Sequence, residues 1–232
     1  MADRPGGSGE VGATWALIAA AGSGDRLGID RPKAFAALGE RPLLAESLER
    51  LEACELVDAI VVACPPGWEE PSILLAEELA ASKVVACVTG GASRAESVAA
   101  ALAEVGDEAL VVLVHDAARP LLDEAVVQRL LGPLGEGYEG AVPVLPVADT
   151  LKRVRDGAVV ETVAREGLVA AQTPQAFLAD TLRRAFSGAL DGATDCASLV
   201  ERVGGRVAVV EGDPKLLKVT TLADLALVAS WL

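Results

Sequence analysis

The residues that could do chemistry gather at four places along the 232-residue chain. The first is Ala20-Ala21-Gly22-Ser23-Gly24, with Arg26 just beyond and Lys33 after Pro32. A glycine loop behind a strand exposes backbone N–H groups that can cradle phosphate oxygens. A planar guanidinium beside a compact ammonium suits a polyphosphate. The same residues would also serve as an ordinary strand–loop–helix joint with solvated charges. The second place is His115-Asp116-Ala117-Ala118-Arg119-Pro120. Asp116 could hold a magnesium ion or a ligand hydroxyl and Arg119 could meet an anion; equally, Asp116 could cap a turn and pair with Arg119. The third is Gly90-Gly91-Ala92-Ser93-Arg94 with Ser97. Ser93 is a natural helix N-cap, and Arg94 and Ser97, in the first turn, could touch a base or ribose. The fourth is Lys218 in the apolar setting LLKVT. Thr150, Arg165, Thr173 and Thr194 read alone as caps or solvated groups.

What these groups lack narrows the reaction. His115 is the only histidine, and beside a strand end it is expected to be packed rather than catalytic. Ser-His-Asp and Cys-His mechanisms and histidine zinc sites are therefore poorly served. The inventory favours positioning and charge neutralisation, the demands of phosphoryl and nucleotidyl transfer. If the nucleophile is a phosphomonoester, its second pKa of about 6 leaves it ionised without a protein base. The formal net charge of −14 argues against sequence-independent nucleic-acid binding. Phosphate ligands would need a local basic pocket in an acidic protein. No apolar run approaches the ~18 residues of a membrane span. Cys54, Cys64, Cys87 and Cys196 are widely spaced, with no C-x-x-C pair, so a reduced, cytoplasmic protein is expected.

Positioning those groups requires a particular scaffold. Residues 1–13 are expected to be a loose leader and 14–232 a single domain. Apolar runs at 15–20, 59–64, 83–88 and 110–114 alternate with helical patterns at 42–53, 68–81, 93–105 and 123–134. Continuous apolar strands between amphipathic helices predict a mostly parallel twisted sheet covered on both faces, an α/β Rossmann-like fold. Ligands of such sheets bind beyond the carboxyl ends of the strands. The loop at Gly22, the turn at Gly90-Gly91 and His115-Asp116 all fall there. Residues 141–147, with Pro143 and Pro146, predict an edge or irregular strand. Residues 150–163 predict a hairpin turning at Asp156-Gly157, part of a protruding arm over about 148–166. A lone ribbon is marginally stable, and a second subunit is one surface it could lie against. Lys218-Val219 predicts a brief strand and residues 221–232 an apolar closing helix.

Taken in order, AAAGSGDRLG, RPK, TGGASRAESV, LVHDAARP, VADTLKR, REGL, QTPQAF, ATD and LLKVT resemble the 2-C-methyl-D-erythritol 4-phosphate cytidylyltransferases of the non-mevalonate isoprenoid pathway. The resemblance runs from about Trp15 to the C-terminus. It implies CTP and methylerythritol phosphate as substrates, Mg²⁺ as cofactor, and pyrophosphate as a product. It also implies that Arg26, Lys33 and Lys218 serve catalysis at the triphosphate. Ala20, Ala21, Gly22, Ser23, Gly24, Gly91, Arg94, Ser97 and Asp116 would hold the nucleotide, Asp116 with its Mg²⁺. Asp116, Arg119, Thr150, Arg165, Thr173 and Thr194 would bind the acceptor, Thr150 and Arg165 reaching the partner's site through a homodimeric arm. Two positions depart from the family pattern: Cys196 stands where an acidic residue is common, and Ala92 where a polar one is. A cytidylyltransferase for ribitol 5-phosphate is the nearest alternative. A nicotinamide-dependent oxidoreductase fits less well, because the spacing is G-x-G-x-x-x-G and the second strand ends in Cys64-Pro65-Pro66 without the expected acid. A non-catalytic nucleotide-binding module would have no need of Arg26, Lys33, Asp116 and Lys218 together.

Overall fold

The computed structural model describes residues 13–232, so the leader expected over 1–13 lies outside the described residues except for Ala13, which opens the first strand. In chain order the elements are β1 (Ala13–Ala19), β2 (Ala37–Leu38), β3 (Arg41–Pro42), α1 (Leu43–Ala53), β4 (Ala59–Cys64), α2 (Glu69–Glu78), β5 (Val84–Thr89) and α3 (Arg94–Leu102). There follow β6 (Ala109–Asp116), α4 (Glu124–Leu131), β7 (Gly140–Pro146), β8 (Leu151–Arg155), β9 (Ala158–Val163), β10 (Val169–Ala171) and β11 (Gln175–Leu178). The chain closes with α5 (Ala179–Phe186), α6 (Cys196–Arg202), β12 (Val207–Glu211) and α7 (Leu222–Ala229).

The β-branched, apolar runs form the middle of an eight-stranded sheet, where β1 lies between β6 and β4 and all three are parallel, as is β5 beyond β4. β1, β4 and β6 bury both faces, while β5 closes one edge of the sheet with Val85 exposed. Ala16 and Ile18 of β1 and Ile60 and Val62 of β4 meet Leu44, Leu48 and Leu51 of α1 and Val126, Val127 and Leu130 of α4. Trp15 and Leu17, with Val61 and Ala63, meet Val98 and Leu102 of α3 and Leu182 and Leu199 of α5 and α6 on the other side. The mostly parallel α/β sheet with helices on both faces is as the sequence predicts.

Two local expectations are corrected. The proline-bearing segment β7 is an interior strand: Ala141 faces Ala176 and Ala208, and Val144 faces Ala171 and Glu211. Its neighbours β10, β11 and β12 arrive from later in the chain, so its own sequence could not reveal them. Lys218-Val219 is not a strand. That segment is held instead by Val219 N–H donating to the Ala118 carbonyl at 2.8 Å.

The hairpin forms as expected, as a separate two-stranded ribbon of β8 and β9 that joins no other strand among the described residues. Asp156 and Gly157 turn it with φ of 51° and 78°, the left-handed pair that matches strand twist in a two-residue turn. Val154, Val159 and Val160 on it are each more than half exposed.

Candidate active site

The glycine loop leaves β1 at its carboxyl end. Ala20 is still tied to the sheet, its N–H donating to the Ala63 carbonyl at 2.9 Å. No hydrogen bond among the described residues uses the N–H of Ala21, Gly22, Ser23 or Gly24. Backbone donors in that state need an acceptor from solvent or a ligand. The loop is pinned against Lys33: Lys33 N–H donates to the Gly22 carbonyl, and a Cβ on Gly24 would stand 2.7 Å from Lys33 Cβ. Gly24 also has φ 80°, so two separate constraints demand glycine there.

The turn after β5 closes over the same loop. Gly90 N–H donates to the Cys64 carbonyl at 2.7 Å, and a Cβ on Gly90 would lie 2.4 Å from Ala21 Cβ. Ser97 is buried and braces the turn, its Oγ accepting from Gly91 N–H at 3.1 Å and donating to the Ser93 carbonyl at 2.8 Å. Ser93 caps α3 reciprocally with Glu96. That cap fixes Arg94 as the first helical residue.

Arg94 reaches across to the end of β6. Its Nε donates to Asp116 Oδ1 at 2.8 Å, while Lys218 Nζ donates to Oδ2 at 2.6 Å. The Asp116 carboxylate is buried. Burial opposes its ionisation, but Arg94 and Lys218 outweigh that and hold it well below the usual carboxylate range. The alternative in which Asp116 pairs with Arg119 is not what the structure shows. Arg119 donates instead to the Leu216 carbonyl. Both Asp116 oxygens face cations, Oδ1 the Arg94 guanidinium and Oδ2 the Lys218 ammonium. No group of three His, Cys, Asp or Glu side chains that could hold a metal occurs among the described residues.

His115 lies beneath the site as a fully buried neutral ring. Asp116 N–H donates to Thr173 Oγ1 at 3.0 Å, leaving the hydroxyl proton for His115 Nδ1 at 3.4 Å, and Nε2 then donates to the Arg119 carbonyl at 3.0 Å. Burial, more than any neighbour, pushes the imidazole down to about 4. The ring is therefore a structural strut, as its position predicted, and it is not a base poised near neutral pH.

A cleft of about 490 Å³ opens at these strand ends. It gathers Ala20, Ala21, Gly22, Ser23, Gly24, Arg26, Lys33, Gly91, Arg94, Ser97, Asp116 and Lys218 from the expected set. Four cations (Arg26, Lys33, Arg94 and Lys218) line it against two carboxylates, Asp25 and Asp116. A basic pocket thus sits in a chain of net charge −14. Lys33 is pushed down to about 8 by its own burial and by Lys218, with Arg26 and Arg119 adding to the repulsion and Asp116 opposing it. A lysine tuned this way gains from a phosphate that restores its full charge.

Five expected residues lie outside the cleft lining. Thr173 is buried beneath the site, where its hydroxyl accepts from the Asp116 N–H at 3.0 Å and lies 3.4 Å from His115 Nδ1. Arg119 is half-buried outside the lining, its Nε buried and without a partner among the described residues. Thr194 is exposed ahead of α6. Thr150 and Arg165 lie exposed at the base of the arm, where Arg165 donates to the Ala148 carbonyl. Asp25 and Thr220 line the cleft without having been singled out. Thr220, two residues past Lys218, is held by Asp224 at the start of α7 at 2.6 Å. Threonine followed by aspartate four residues on was a signal available in the sequence.

A doubly covered parallel sheet that holds a partnerless glycine loop and converging cations at its carboxyl edge belongs to the nucleotidyltransferases. The family model for IspD, 2-C-methyl-D-erythritol 4-phosphate cytidylyltransferase, matches residues 14–232. A protein of that name from Nocardia farcinica is 46% identical over 217 residues, covering 93% of this chain and 92% of its own length. A crystal structure of a 4-diphosphocytidyl-2C-methyl-D-erythritol synthase superposes with a TM-score of 0.81 at 36% identity, over 95% of this chain and 98% of that one. The Thermus thermophilus 2-C-methyl-D-erythritol 4-phosphate cytidylyltransferase gives 0.77 at 36%, covering 93% and 96%. The chain belongs to the 2-C-methyl-D-erythritol 4-phosphate cytidylyltransferase family.

Proposed function

We propose that this chain transfers the cytidylyl group of CTP to 2-C-methyl-D-erythritol 4-phosphate, giving 4-diphosphocytidyl-2-C-methyl-D-erythritol and pyrophosphate for isoprenoid precursor synthesis. A phosphate oxygen of the acceptor attacks the α-phosphorus of CTP, the bond from that phosphorus to the bridging oxygen of the β-phosphate breaks, and pyrophosphate departs. The acceptor phosphate is already ionised, and no side chain in the cleft is asked to take a proton. Arg26, Lys33 and Lys218 meet the charge that builds on the α-phosphate and the leaving group. The free N–H groups of 21–24 hold phosphate oxygens, and the turn of Gly91, braced by Ser97, borders the base and ribose.

The observation that carries this reading is the convergence of Arg26, Lys33 and Lys218 on one cleft beside the glycine loop. Asp116 and Arg119 border the acceptor side. Thr150 and Arg165 complete it from the arm of a second copy, which accounts for their distance from the cleft of their own chain. Mg²⁺ would be held mainly by the CTP phosphate oxygens, with Asp116 the one cleft carboxylate beside them that belongs to the proposed site, since no cluster of three metal-ligating side chains occurs among the described residues. All four cysteines are free thiols, in keeping with a reducing, cytoplasmic setting, and no helix among the described residues is long and apolar enough to cross a membrane.

The test is pyrophosphate release from CTP and Mg²⁺ with methylerythritol phosphate or ribitol 5-phosphate as acceptor. Release with the first alone supports the reading. Release with the second alone overturns the acceptor and retains the reaction, and CTP binding without release with either returns the chain to a binding module.

A further inference from the structure

Lys218 projects into the cleft from a stretch of chain that belongs to no ladder. Residues 217–220 are neither helix nor strand, yet the ammonium meets Asp116 Oδ2 at 2.6 Å. A long, freely rotating side chain is aimed only when its backbone is held. Ahead of the lysine, Arg119 donates to the Leu216 carbonyl. Directly after it, Val219 is fully buried and its N–H donates to the Ala118 carbonyl at 2.8 Å. A further tie comes from α7. One oxygen of Asp224, Oδ2, accepts from the Thr220 N–H at 2.9 Å, the Thr220 hydroxyl at 2.6 Å and the Thr221 N–H at 2.8 Å. Those bonds, the Thr220 hydroxyl first, hold the carboxyl down to about 2, so it remains an acceptor at neutral pH.

The cap of α7 needs only part of this. Thr221 Oγ1 accepts from the Asp224 N–H at 3.2 Å while Asp224 accepts from the Thr221 N–H, which closes the helix end reciprocally. The two bonds to Thr220 add nothing to that cap. They fasten the helix to a residue that lines the cleft two places beyond Lys218. α7 is itself seated by Val228 in a small apolar cluster separate from the two that cover the sheet. The same cluster holds Leu27, next to Arg26, and Ala36, which closes the turn begun by Lys33, and Val219. We infer that Asp224 is a positioning residue of the transfer, acting through Thr220 to fix the Lys218 backbone on the body that carries Arg26 and Lys33, a role that rests on the cytidylyl-transfer reading of the cleft. Asp224 lies outside the cleft lining, so its effect reaches the reaction through the lysine. A misplacement of about 1 Å at a group that meets the reacting phosphate is enough to cost ~10² in rate.

The experiment compares Asp224→Ala, Asp224→Asn and Thr221→Val with the parent chain, and repeats Asp224→Ala in a Lys218→Ala background, reading kcat, KM for CTP and thermal melting. Asp224→Ala is expected to lower kcat about 20-fold. Asp224→Asn, whose amide keeps an oxygen for Thr220, recovers most of that. Thr221→Val breaks the helix cap but leaves both Thr220 bonds, so it melts earlier and keeps kcat within about twofold of the parent. In the Lys218→Ala background, Asp224→Ala costs less than about twofold more, because the lysine it places is already gone. A readout without ligands is trace acetylation by acetic anhydride, followed by peptide mass spectrometry against exposed Lys152 of the arm. Acetylation of Lys218 should rise about fivefold in Asp224→Ala, as the charge-assisted bond to Asp116 is lost, and stay parental in Thr221→Val. Losses from Asp224→Ala and Lys218→Ala that multiply overturn the inference. So does a Thr221→Val chain that matches Asp224→Ala in kcat at the same fall in melting temperature. If the parent chain releases no pyrophosphate with any acceptor, the proposed function fails by itself. Acetylation of Lys218 then still decides the role of Asp224: a rise upholds its hold on the lysine, and an unmoved rate overturns it.

Discussion

The nucleotide cleft and the arm are built by opposite means. The cleft draws Gly22, Gly90, Asp116 and Lys218 from across two hundred residues, and its key contacts are buried ion pairs and close backbone approaches. The arm is local: β8 and β9 pair through a two-residue turn, with an exposed Arg153–Glu161 ion pair at 2.7 Å and exposed valines. One region is finished within a single chain; the other presents Thr150 and Arg165 to no cleft of its own. Rigidity is invested where charge must be placed to a fraction of an ångström. On the proposed reading, a second copy completes the acceptor side.

The sharpest probe of the finished half is Lys33→Ala. Turnover is expected to drop by about 10²–10³, as when one donor to a developing oxyanion is removed. Melting temperature should hold or rise, since the lost ammonium is half-buried among Lys218, Arg26 and Arg119. A drop in both together would mean that Lys33 is structural.

A second probe uses His115, the chain's sole histidine. Its buried ring titrates at about 4 against 6.5 when unfolded. Between those values the unfolded chain binds the extra proton, so stability is lost as pH falls from 6.5 toward 4, by about 3 kcal/mol in all. Denaturant melts across that range should show the slope, and His115→Asn should flatten it.

The arm is tested by Arg165→Ala, with an expected rise in acceptor KM of about tenfold and little change for CTP. Mixed with Lys33→Ala, it should restore about a quarter of parental activity, because half of random dimers carry one intact site of two. A mixture no better than its components would confine each site to one chain.

The smallest contrast sets two glycines side by side. Gly90→Ala drives a methyl against Ala21 and Ser97 and should cost about 1–3 kcal/mol together with CTP affinity. Gly157→Ala meets open space but keeps φ 78°, so about 1 kcal/mol of strain is expected, with CTP binding intact by calorimetry.

Much of the cleft was legible beforehand, because glycine positions and strand ends are local signals. The loop, the turn and Asp116 could be placed together from the rule for parallel sheets alone. The contacts of Asp116 could not. Arg119, three residues away, was the obvious partner, yet the ion pairs come from 22 and 102 residues distant. The support that Thr173 gives the Asp116 amide was not legible either, since nothing in TPQ reveals that β11 lies antiparallel to β6 and carries the threonine just ahead of it beneath that amide. The prolines of β7 suggested an edge for a similar reason: the strands that flank it come later in the chain.

The sequence by itself determined the alternation of strands and helices, the glycine-rich turns, the hairpin and the order of motifs that place the chain in its family. Those follow from side-chain periodicity and backbone freedom, which act over a few residues. Tertiary structure alone decided which cations share Asp116, why Lys33 titrates near 8, and why His115 stays neutral. Desolvation and Coulomb energy depend on distance and burial in space, and neither is written in the spacing of residues along a chain.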